Sequence, residues 1–161
     1  KATRANILKQ MEGVSLDQLN EIPAGFNNNL IWNAGHVAVT QQLLCYAMSG
    51  LAVKLPKDVI GIYRKGAKPE KGVTQAEVDQ IKEWLTASID WLAEDLEAGI
   101  FKSYKEYATS YGFTLTSIAD AVSFNNVHEG MEIWNPIIFI NRYMILDWNN
   151  YDSTKYEYGS F

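Results

Sequence analysis

The sequence has 161 residues, 47% hydrophobic and 20% charged, which is enough to bury the core of one domain and too apolar for a disordered chain. Fourteen Lys+Arg against nineteen Asp+Glu leave a net charge of −5 and an isoelectric point near 5.0, which excludes a general nucleic-acid binder built on a basic face. A single cysteine, Cys45, excludes an internal disulfide framework and fits a reducing compartment, and no apolar run reaches the roughly 18 residues of a membrane span. The reading is one cytoplasmic domain over residues 1–161 with neither nucleic acid nor membrane as partner. The chain opens at Lys1 without Met, which leaves a trimmed end or a removed leader open.

The first predicted helix runs from about Ala2 to Met11, with Ile7, Leu8 and Met11 on one side and Gly13 as its stop. Residues 15–29 are rich in turn formers, although Ser15-Leu16-Asp17-Gln18 has capping-box spacing and can seed a turn or two of helix. The second long helix spans about Leu30 to Met48 and stops at Ser49-Gly50. Trp32, His36, Val39, Leu43 and Ala47 fall on one of its faces. Residues 51–72 hold two prolines and three glycines and read as a long crossover loop, with a weak extended signal over Lys54–Tyr63.

Thr74-Gln75-Ala76-Glu77 is a second capping box, and Val78, Ile81, Leu85, Ile89, Leu92 and Leu96 continue from it as one apolar stripe. Trp84 and Trp91 widen that stripe and offer surface for a homodimer. After Gly99 the chain has no firm period, and Tyr104–Phe113 carries only a weak extended signal, as Lys54–Tyr63 does. The last helix starts at Thr116 or Ser117, with Asp120 in its first turn. Pro136 is expected to kink or break it, because proline removes a donor and clashes with the carbonyl of Glu132. From Asp147 onward the tail reads as loop or docked coil. Four helices of this kind in one short domain predict an all-α, four-helix bundle with a long crossover loop.

Only two histidines are present, and both fall on inward faces. His128 and Glu132 stand four apart on one helix, so their side chains meet on one face. His36 lies on the apolar side of another helix, where bundle packing would bring it opposite. Together they form a two-histidine, one-carboxylate set with positions left for water or substrate. The plain alternative is a pair of hydrogen-bonded core imidazoles. Glu129 points about 100° round the helix from His128 and is expected to be solvated or tied to a loop. Asn125, one turn before His128, is placed to orient the imidazole, touch a ligand or make a plain structural hydrogen bond. Trp32 is expected to wall the pocket. The loop cations Lys54, Lys57, Arg64, Lys65, Lys68 and Lys71 either coat a solvated loop or recruit an anionic ligand. Cys45 reads as a buried structural thiol.

Two blocks carry a family resemblance. Ile22-Pro23-Ala24-Gly25-Phe26-Asn27-Asn28-Asn29-Leu30-Ile31-Trp32-Asn33-Ala34-Gly35-His36 is followed by Gln41-Gln42-Leu43-Leu44 and Ser49-Gly50-Leu51. Ser117-Ile118-Ala119-Asp120-Ala121 then leads into Asn126-Val127-His128-Glu129-Gly130-Met131. In this order they resemble DinB-like proteins over nearly the whole chain. The resemblance implies a DinB/YfiT-like four-helix bundle, often dimeric, whose interior pocket holds a divalent metal on three histidines. His36 and His128 match the first two ligands, and the third falls on Glu132. Trp134 stands where the family has a small residue, which puts it in the pocket wall, and Pro136 follows in a segment that is ordinarily continuous helix.

What the resemblance implies is a metal-dependent hydrolase or thiol transferase acting on a small molecule or thiol. Zinc, nickel or iron would be held by His36, His128 and Glu132, beside a pocket that includes Trp32, Asn125 and Trp134. The alternative is a dimeric bundle, diverged or redesigned, that binds a small molecule without turnover after losing the metal. A site rebuilt without the metal instead frees Glu132 to act as a catalytic base, since burial of an unpaired carboxylate raises its pKa and suits proton abstraction.

Overall fold

The computed structural model describes the backbone of residues 1–143 and the side chains of residues 1–132. Four long helical segments make the bundle. They are α1 (Ala2–Gln10), α3 (Leu30–Gln41) with its continuation, α5 (Gln75–Glu97) and α6 (Ile118–Tyr143). Two short helices, α2 (Leu16–Asn20) and α4 (Lys57–Tyr63), lie in the connections. Strands β1 (Tyr107–Ala108) and β2 (Thr114–Leu115) pair antiparallel, Tyr107 opposite Leu115 and Ala108 opposite Thr114. No helix among the described residues is long and apolar enough to cross a membrane.

Local chemistry accounts for most of the helix starts. The Ser15 hydroxyl accepts from the Gln18 amide while the Gln18 side chain takes the Ser15 N–H, so α2 begins with a complete capping box. Thr74 and Glu77 do the same for α5. The α3 start is held by Asn29, whose side-chain oxygen accepts from the Trp32 amide at 2.8 Å. Asn20 then clamps α2 to the approach of α5, accepting from the Val73 amide and donating to the Val73 carbonyl.

Helix α3 does not stop at Gln41. It widens into a π-helical stretch at Gln42–Tyr46, tightens through a 3-10 turn at Ala47–Ser49, and ends where Gly50 takes a φ of +75°. The buried glutamines here find partners across the bundle: Gln41 donates to the Ser88 carbonyl and Gln42 accepts from the Lys54 amide.

Two expectations change. Residues 57–63, expected to be extended or loop, form α4. Val59 and Tyr63, four apart, bury one side of it against the core, and a seven-residue helix is stable only with such docking. Helix α6 also runs through Pro136 to Tyr143 without a break. Proline interrupts one bond of the ladder, and the bonds on either side still carry the helix.

The core falls into two clusters. One gathers Ile7 of α1 and Met11 just after it, Val37 and Val39 of α3, and Val78, Ile81 and Leu85 of α5, with Trp84 and Trp91 packed half-buried against it. The other joins Leu44, Cys45 and Tyr46 to Leu92, Leu115 and Ala121. Burial pushes the Cys45 thiol up to about 12, which leaves it protonated and unreactive.

Candidate metal centre

His36 is held from three sides. Its Nδ1 lies 2.7 Å from the Tyr63 carbonyl, which can only accept, so Nδ1 carries the proton and Nε2 the lone pair. Thr40 places its hydroxyl 3.3 Å from Nε2. Trp32 stacks on the imidazole at 5.0 Å between centroids and 11° between planes, and its own indole N–H donates to the Ile62 carbonyl. The Tyr63 ring reaches this position because residue 35 is glycine: a Cβ there would lie 2.5 Å from Tyr63 Cδ1. Gly35→Ala therefore displaces Tyr63 and should cost about 1–3 kcal/mol, read as a lower urea midpoint with unchanged slope.

His128 approaches from α6, with 5.2 Å between the two imidazole centroids. Its Nε2 stands 3.6 Å from Glu132 Oε1. Burial, then the neighbouring His36 and Lys65, push the His128 pKa down to about 4, so the ring is neutral with a lone pair to give. One ligand atom each from His36, His128 and Glu132 lies within 4.8 Å of the other two. Around a tetrahedral divalent cation with bonds of roughly 2 Å, donors sit about 3.3–3.5 Å apart. Side-chain rotation would have to close that gap, and two imidazoles with one carboxylate suit zinc, nickel or iron. The donor set fits a cation.

The cluster opens on a cavity of about 320 Å³. Leu43, Leu44 and Phe124 line its apolar side, and the hairpin brings Tyr107 and Tyr111 over it. Of the described residues that line it, Lys65 is the one lysine or arginine. A larger cavity, about 760 Å³, lies beside Trp32 and Tyr63. It has no histidine or cysteine and mixes Lys68 and Lys71 with Asp58, Glu70 and Glu77, so its lining offers no comparable donor set. Trp32 thus stacks on His36 but faces this larger space.

Two further buried polar residues of α6, Glu129 and Asn125, are not part of the cavity lining. Glu129, expected to be solvated or loop-tied, is 2% exposed and paired with Arg4 of α1, itself 2% exposed, at 2.7 Å. Arg4 also donates to the Leu85 carbonyl and to the Ser88 hydroxyl. Asn125 donates through Nδ2 to Glu129 at 2.7 Å. Arg4 was legible in principle, since Arg4, Ile7, Leu8 and Met11 share the helix face that reads as apolar. The Tyr63 carbonyl was not, because any residue supplies a carbonyl. The side chain of Trp134 lies outside the described residues.

No curated protein and no solved structure matches the chain. A family model described as the DinB superfamily matches residues 1–133, a span that takes in α1 to α5 and the part of α6 that carries His128 and Glu132. The chain belongs to the DinB superfamily.

Proposed function

We propose that this protein is a divalent-metal enzyme acting on a small molecule, as a hydrolase or thiol transferase, with His36, His128 and Glu132 as the metal ligands. The observation that carries the reading is the convergence of three donors, from helices far apart in sequence, at one cavity of about 320 Å³. A divalent cation bound there supplies Lewis acidity, lowering the pKa of water or thiol toward neutrality.

The protein's own residues supply the rest. The Tyr63 carbonyl fixes the His36 tautomer so that Nε2 faces the site. Burial keeps His128 neutral across the physiological range. Tyr107, Tyr111 and Phe124 give the cavity aromatic walls, and Lys65 in its lining favours a substrate with a negative group, such as a carboxylate or thiolate.

Metal analysis of protein purified without a metal-carrying tag, beside His36→Ala, tests the reading. Near one equivalent of metal in the parent and none in the variant is the expected result. No metal in either, after zinc, nickel and iron have been supplied, would overturn it and turn attention to a bundle that binds a small molecule without turnover.

A further inference from the structure

On the reading that His128 is a metal ligand, we infer that Asn125 is a positioning residue: its side-chain oxygen takes the Nδ1 proton of His128 and so fixes the tautomer that presents Nε2 to the site. The inference starts from Glu129. One of its oxygens, Oε1, receives Arg4 Nε at 3.0 Å, Arg4 Nη2 at 2.7 Å and Asn125 Nδ2 at 2.7 Å. A carboxylate only accepts, so the Asn125 amide cannot flip without setting its own oxygen against Oε1. The amide is thereby oriented, and Oδ1 must face away from Glu129.

Asn125 is 3% exposed, and that Oδ1 has no hydrogen-bond partner. Three residues further along α6, His128 is 8% exposed, and its Nδ1 likewise has no partner. Nε2 of the same ring is the atom directed at Glu132. Residues three apart are neighbours on a helix surface, and helical side chains lean toward the N-terminal turn, where Asn125 sits. One orphan is an acceptor and nothing else; the other donates in one tautomer only. Pairing them satisfies both, through a small rotation of the two side chains or one bridging water, and leaving both unpaired in a buried site is costly. The pairing leaves the Nε2 lone pair directed at the cluster, as the Tyr63 carbonyl does for His36. A histidine ligand ordinarily has such a partner on its other nitrogen.

Because the chain has two histidines, ¹⁵N-histidine labelling gives a spectrum of two rings. In metal-free parent protein both rings should be Nδ1–H tautomers. In Asn125→Leu the His128 ring should pass to the Nε2–H form or a mixture while His36 stays unchanged, and zinc affinity should fall roughly 10–100-fold. Ser88→Ala, which disturbs the Arg4 contacts without touching Asn125 or His128, should keep zinc affinity within about twofold of the parent. If Asn125→Leu does not fold, Asn125→Ala is read in the same way.

An Nε2–H tautomer at His128 in the parent overturns the inference without any variant. So does an Asn125 variant that keeps the parent's tautomer, or one that keeps its zinc affinity. If the parent takes up no zinc, the metal reading fails by itself, and the two tautomer spectra still decide the role of Asn125.

Discussion

Arg4→Ala should be the most damaging single substitution, lowering unfolding free energy by about 3–5 kcal/mol. The substitution strands the Glu129 carboxylate, 2% exposed, with no cation beside it, and removes the donors to the Leu85 carbonyl and the Ser88 hydroxyl. A domain of this size has about 5–15 kcal/mol of stability in total, so the loss is a large fraction of it. Glu129→Ala should be comparably costly, since it leaves a buried guanidinium. The double variant Arg4→Met with Glu129→Leu should recover most of the loss, because removing both charges also removes the cost of burying them. Urea unfolding of the two single variants and the double variant checks this. A single variant that costs under 1 kcal/mol would mean that water reaches the pair, against the burial seen here.

Zinc should raise the melting temperature of the parent by roughly 8–16 °C at a thousandfold excess over its dissociation constant. Binding to the folded state alone contributes about 4 kcal/mol under that condition. Each kcal/mol moves the melting temperature of a chain this long by about 2–4 °C. His36→Ala should show no such rise, because the chain has no third imidazole to replace the lost donor. Glu132→Gln keeps the shape of the side chain and removes its charge. It should weaken zinc binding by more than the 10–100-fold that outer-shell changes cost. Equal stabilisation of parent and both variants would show that zinc binds elsewhere on the protein, and would remove the His36–His128–Glu132 assignment.

Glu132 stands where the resemblance to DinB-like proteins implies a third histidine, and the geometry bears on what a carboxylate would do there. The carboxylate stays on the face of α6 that meets His36, within 4.8 Å of the other donors. A carboxylate makes the set more anionic than three imidazoles and harder as a ligand, which shifts preference toward iron relative to an all-nitrogen site. Metal competition between iron(II), nickel(II) and zinc(II) on the same preparation would measure that shift directly.

The sequence by itself determined the parts that depend on near neighbours. The capping boxes at Ser15 and Thr74, the apolar stripe of α5 and the shared face of His128 and Glu132 are all spacings of three or four residues, and a helix converts such spacings into contacts wherever it is placed. The family blocks around His36 and His128 were legible for the same reason, as unbroken runs of residues. Tertiary structure alone decided what depends on docking. Helix α4 is too short to announce itself by periodicity and exists because Tyr63 settles on the bare backbone of Gly35. That Glu129 is buried rather than solvated turned on Arg4, 125 residues away, which draws it into the core. Trp32 was legible as a neighbour of His36 but not as a residue facing a different cavity, since that depends on where α4 packs. Contacts between distant residues form only when whole helices find their positions, and no local spacing encodes that outcome.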